Sequence, residues 1–143
     1  MARVIETSVR IAAPPARVWS VLMDFGAYPS WNPFVRSIAG DKSVGGKLEV
    51  VLELPGGKPQ TFRPVVTEIV PEQMFCWRGT LPIPGLFTGE HRFSLATEGQ
   101  NTRFTQSEAF SGLLVPFVGG VLAATERGFH AMNEKLKVRS EGS

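Results

Sequence analysis

Residues 74–112 read MFCWRGTLPIPGLFTGEHRFSLATEGQNTRFTQSEAFSG, and their alternation is the key to the chain. Successive side chains of a strand point to opposite faces. Phe87, His91, Phe93 and Leu95 therefore share one side of a strand, and Phe104, Gln106, Glu108 and Phe110 share one side of the next. Between them Glu98-Gly99-Gln100-Asn101 is a turn-rich cluster that reads as a hairpin loop. If Thr97 pairs with Thr102, Phe93 stands opposite Gln106 and His91 opposite Glu108, with Cβ atoms roughly 4.5–5.5 Å apart. A slip of two residues brings His91 beside Gln106 instead. In either register the face mixes aromatic rings with a few converging polar groups, the combination a ligand cavity uses for affinity and for orientation.

The whole chain has 143 residues, 43% of them hydrophobic, enough for one domain to bury a core without disulfides or a structural metal. Cys76 is the only cysteine and there are two histidines, so neither a disulfide framework nor a common Cys/His zinc motif can be assembled; no metal and no cofactor is expected. The first residues, MARVIETSVRI, alternate, so no secretory leader is expected. The longest apolar run, from Leu113 to Ala124, is 12 residues, against the ~20 that a membrane-spanning helix requires. A soluble, cytoplasmic protein is the expectation. The net charge is +2 with basic and acidic residues interspersed, which lacks the clustered basic footprint of a nucleic-acid-binding surface.

Upstream, Ile5, Thr7, Val9 and Ile11 alternate with Glu6, Ser8 and Arg10 as in a half-buried strand. Ala13-Pro14-Pro15 breaks it, and Val18, Trp19, Val21 and Leu22 form a short helix entered through proline. Phe25 to Trp31 holds Gly26 and Pro29, giving a turn with at most one more short helix. Strands are expected from Asn32-Pro33 to about Ile38, over 47–54, over 61–70 with Pro64 marking an edge or a bulge, and over 74–80. From Pro116 the period changes. Val118, Leu122, Thr125, Phe129, Met132 and Leu136 form one helical stripe, with Glu126, His130, Asn133, Glu134 and Lys137 expected on the opposite side. Lys135, Lys137 and Arg139 near its end complement the helix dipole. A sheet with one apolar face needs a cover, and this helix is the only large element available. Loops 55–60, 81–86 and 111–116 fall at one end of such a meander and form the candidate cavity mouth.

Three segments, ARVWSVLMDFGAYPSWNPF, FCWRGTLPIPGLFTGEHRFSL and TRFTQSEAFSG with the following helix, resemble the helix-grip (SRPBCC) superfamily of birch-pollen-allergen proteins, START-type lipid carriers and bacterial polyketide cyclase/dehydrase-like proteins, closest to the last group. The resemblance implies an α+β helix-grip domain over residues 1–139, with 140–143 as a frayed tail. In it a curved seven-stranded antiparallel sheet wraps around a long C-terminal helix, with one or two short helices after strand 1. It also implies an elongated cavity for a hydrophobic or aromatic small molecule.

His91 and Glu108 can act as an acid/base pair or as a self-satisfied polar couple that fixes hairpin register. Trp77 can be a stacking wall or core, and Trp31 a cavity residue or a tether for the short helices. Phe87, Phe93, Phe104, Gln106, Phe110, Phe129 and Met132 complete the candidate ligand-binding set, as a cavity lining or a solid core. Cys76, of opposite parity to Trp77, lacks the depressed pKa and nearby base that a nucleophile needs. The leading expectation is binding or carriage of a lipid, polyketide or aromatic compound. Polyketide cyclisation in the same cavity is the alternative, with His91 and Glu108 moving protons. A protein-interaction module or homodimer using loops 81–86 and 113–117 is the second alternative.

Overall fold

The computed structural model describes residues 2–80, 85 and 87–142. The chain begins with strand β1 (Ala2–Ile11), helix α1 (Pro15–Met23), a 3-10 turn (Phe25–Ala27) and the one-turn helix α2 (Tyr28–Trp31). Strands β2 (Val35–Gly40), β3 (Leu48–Leu52), β4 (Gln60–Phe62), β5 (Val65–Val70), β6 (Met74–Thr80), β7 (Thr88–Glu98) and β8 (Asn101–Ser111) follow. A 3-10 turn (Val115–Phe117) then leads into helix α3 (Gly119–Glu141). Among the described residues no helix is long and apolar enough to cross a membrane.

All strand pairs are antiparallel, in the orders β1-β8-β7-β6-β5 and β2-β3-β4. Among the described residues eight strands stand where seven were expected, because the stretch 61–70 divides at Arg63-Pro64 into β4 and β5. Proline has no N–H to give the ladder, so the strand breaks there and each half takes a different partner. The two sheets stay joined across this break: Gly45 N donates to Val66 O (2.8 Å), Val66 N to Gly46 O (2.9 Å) and Leu48 N to Pro64 O (2.9 Å).

The β7–β8 hairpin has the register in which Thr97 faces Thr102, Phe93 faces Gln106 and His91 faces Glu108. On its inner face His91, Phe93, Leu95, Phe104, Gln106 and Phe110 are buried, while Arg92 and Ala109 on the other parity are exposed. Helix α3 covers that face with Leu122, Thr125, Phe129, Met132 and Leu136. Asn133, expected on the solvent side, is also inside, at 2% exposure. It lies four residues after Phe129 and three before Leu136, so helical spacing puts it on the buried stripe despite its polarity.

Gly128 explains how the short helices dock on α3. A Cβ there would lie 2.5 Å from Phe34 Cδ1, and in its absence the Phe34 ring packs against the helix and meets Phe129 edge-on, centroids 5.5 Å apart. Phe34 thus tethers the β2 entrance to the helix. Nearby, the Tyr28 hydroxyl donates to Leu22 O at 2.6 Å, and burial, aided by the charge of Asp24, pushes its pKa far up.

The frayed tail expected over 140–143 is instead helical through Glu141, and Ser140 is buried. The end is held by Arg17, which donates to the carbonyls of Arg139 (3.1 Å) and Ser140 (3.3 Å). Glu141 accepts from Ala12 N at 2.7 Å and from Lys137 Nζ at 2.5 Å, and these two bonds hold its carboxyl below the usual carboxylate range. A depressed folded pKa stabilises the fold above the unfolded value and loses that contribution as pH falls through the folded value. Glu141→Gln should therefore be less stable than the parent at pH 7, with the gap closing well below about pH 4.3. Urea denaturation at the two pH values reads it, and a gap of constant size would refute the assignment.

Candidate functional site

The hairpin register places His91 and Glu108 side by side, and β1 and α3 add the groups that complete a buried polar chain. His91 Nδ1 lies 3.3 Å from Glu108 Oε1, and His91 Nε2 lies 2.9 Å from Gln106 Oε1. Gln106 Nε2 donates to Asn133 Oδ1 (2.8 Å) and Asn133 Nδ2 donates to Thr7 Oγ1 (2.8 Å). The Thr7 hydroxyl donates onward to Gln106 O (3.3 Å). The sequence reading found Gln106 as a partner of the pair and missed Thr7 and Asn133. Thr7 has the inner parity of β1 and stands directly opposite Gln106.

The imidazole thus bridges the Glu108 carboxyl and the Gln106 amide, with the donor and acceptor roles of its two nitrogens set by its tautomer.

Aromatic rings enclose the imidazole. Trp77 stacks on it (centroids 4.8 Å, 26°), Phe93 approaches at 4.6 Å and Phe129 meets it edge-on at 5.0 Å. Phe93, Phe104, Gln106, Phe129 and Met132 have no accessible surface at all, and His91 has 2%. These fully buried side chains pack against one another and form part of the core.

The polar chain surfaces only at its acidic end. Glu108 retains 15% exposure, and its Oε2 occupies the space that a side chain at Gly89 would fill. Gly89 lies in the same strand row as Phe87 and His91, and its missing side chain is what lets the carboxylate lie across the strand. Phe87 and Phe110 pack together beside it, centroids 5.5 Å apart, with Phe87 partly exposed. The segment from Gly112 to Val121 follows β8 and is tied to Gly85 by Leu113 N donating to Gly85 O (3.0 Å). Leu113, Phe117 and Val121 are 73%, 81% and 50% exposed. Two of the three loops expected at the mouth thus meet here, while 81–84 and 86 lie outside the described residues.

Trp31 stands apart from this group. Its ring packs edge-on against Tyr28, centroids 5.2 Å apart, and it lines a recess between α2 and the last turns of α3. Cys76 is buried on the outer face of the sheet, opposite Arg92, a neighbour that same-strand parity could not reveal. Burial pushes its thiol up in spite of that cation.

A family model described as polyketide cyclase/dehydrase and lipid transport matches residues 2–141. No curated protein sequence matches the chain. Among solved structures, the Zhui aromatase/cyclase from Streptomyces sp. R1128 is similar with a TM-score of 0.79 and 17% identity, over 99% of this chain and 94% of that one. Ara h 8.0201 is similar at 0.72 and 15%, over 98% of each chain. A START superfamily protein from Mycobacterium smegmatis is similar at 0.71 and 21%, over 95% and 98%. At these identities the structural likenesses speak for the helix-grip fold. Matched by the family model along nearly its whole length, the chain belongs to the polyketide cyclase/dehydrase and lipid-transport family.

Proposed function

We propose that this chain binds a hydrophobic small molecule, a lipid, polyketide or aromatic compound, between the sheet and α3, as a cytoplasmic carrier. The observation that carries this reading is the polar chain itself, satisfied throughout the interior and open only at Glu108, inside an aromatic enclosure. Apolar contact supplies affinity there, and the exposed carboxylate oxygen accepts one hydroxyl or N–H of the ligand and so sets its orientation. Family membership supports the same class of ligand.

Entry requires the Gly112–Val121 segment to lift from the rim. Gly112 has φ of 117°, and α3 opens on Gly119-Gly120 with no side-chain cap at its N-terminus. An uncapped, glycine-led first turn opens at low cost. The apolar side chains it displays then line the ligand rather than face water.

A second reading, cyclisation of a polyketide in the same place, is favoured by the contact of His91 Nδ1 with Glu108 Oε1 at 3.3 Å. The carboxylate would take a proton from a carbon flanked by two carbonyls, and that carbon would bond to a third carbonyl. The new alkoxide would take the proton back, leaving the pair as it began.

The test is a thermal-shift screen with fatty acids, isoprenoids, flavonoids and aromatic polyketides, run on the parent protein and on Glu108→Gln. At ~100 times the dissociation constant a ligand adds about 2.7 kcal/mol, a rise of several degrees. A rise within one class, smaller in the variant, is expected. No rise in any class sinks the binding reading, and conversion of the bound class to a ring-closed product selects the second. Light scattering of the same samples reads whether the exposed Leu113–Phe117 segment joins two copies, which would double the mass.

A further inference from the structure

An open recess of about 490 Å³ lies outside the grip, between α2, the start of β2 and the last turns of α3. Its apolar wall is made by Trp31, Pro33 and Val138, the last 66% exposed. Arg36, Lys135 and Arg139 bring three cations to the same concavity, and no acidic residue lines it. Arg36 donates to Asn32 O at 3.2 Å, and among the described residues none of the three cations is paired with a carboxylate.

These cations are not needed to complete α3. The carbonyls at its end are served by Arg17, and Lys137, on another face, takes up Glu141. Lys135 and Arg139 are four residues apart, so one helix face presents both, and Arg36 faces them from β2. Like charges held near one another repel weakly in water, and an anion between them relieves that repulsion. The Trp31 indole N–H is buried without an acceptor. A turn of the ring toward the recess therefore gives up no hydrogen bond, and an anion placed there would supply one.

The geometry points to a second ligand site, distinct from the grip, for a small molecule with a flat aromatic or apolar body and one carboxylate or phosphate. The body stacks on Trp31 between Pro33 and Val138, and the anion lies among Arg36, Lys135 and Arg139. The volume suits a single small molecule, and the concave shape excludes a flat membrane surface. Guanidinium groups take a carboxylate or a phosphate in the same bidentate way, so the chemistry is shared between the two anions.

Titration calorimetry with naphthalene-2-carboxylate, 2-naphthyl phosphate, neutral 2-acetylnaphthalene and inorganic phosphate tests this, with amide NMR shifts locating each ligand. The two naphthyl anions should bind, with shifts at residues 29–36 and 135–139 and affinity falling as salt rises. The stronger of them identifies the anion preferred. Arg36→Gln with Arg139→Gln should weaken binding tenfold or more, whereas Glu108→Gln should leave it unchanged. These arginines are exposed, so the paired variant should keep the parent melting temperature. Shifts confined to the Phe87–Glu108 rim, unchanged affinity in the paired variant, or no binding by either naphthyl anion would each overturn the proposal. Failure of the grip to take a lipid would leave it standing.

Discussion

Phe93→Ala is expected to destabilise the protein by about 3–5 kcal/mol. The Phe93 ring lies at the middle of the inner face, with Trp77 at 5.4 Å, His91 at 4.6 Å, Phe75 at 6.1 Å and Phe104 at 6.0 Å. It has no exposed surface. Its removal loses the transfer energy of the ring and leaves a void that four stiff neighbours cannot close. Urea denaturation should show a lower midpoint with an unchanged slope, and the thermal midpoint should fall by roughly 10 °C or more. A loss below about 1.5 kcal/mol would mean that the neighbours collapse into the gap, and that the interior is softer than its packing implies.

Gln106→Met should cost about 2–5 kcal/mol, for a different reason. Methionine nearly preserves the volume, so the loss is electrostatic: His91 Nε2 and Asn133 Oδ1 are left buried without partners, at about 1–3 kcal/mol each. The measurement that separates this from a packing defect is a double-mutant cycle. Asn133→Leu removes the second of those orphaned groups, so in the Gln106→Met background it should cost clearly less than it does in the parent. Simple additivity would show that the two residues do not act as one chain.

These two residues also mark how far the sequence could be read. The β7–β8 register was legible because a turn-rich cluster pins one end of the hairpin and strict alternation carries the register along it. Pro64 was legible as an edge or a bulge because its chemistry acts locally, but the division of that stretch into β4 and β5 needed the pairing of each half with a different partner. Asn133 was misplaced because polarity was weighed above spacing, although its distance from Phe129 and Leu136 already put it inside. Arg92 opposite Cys76 needed the pairing of β6 with β7, and Glu108 lying over Gly89 needed the backbone. Whether the aromatic rows enclose a void depends on rotamers and on how closely α3 approaches the sheet, which the hydrophobic pattern does not encode. The recess beside Trp31 was hidden for a related reason. Its cations come from two segments about 100 residues apart, which the fold brings together where Phe34 docks on Gly128.

The pairing of β1 with β8 has a consequence for how the molecule is made. Ile11 pairs with Thr102 and Ala2 with Ser111, so β1 leaves the ribosome well before its partner strand β8 exists. At ordinary translation rates that interval is roughly 5–20 s. For that time β1 is an unpaired strand with an alternating apolar face, and α3, which also covers it, emerges later still. Folding of the large sheet must then wait until β8 has been made, so the nascent chain has reason to depend on holding factors that a refolding experiment would not reveal.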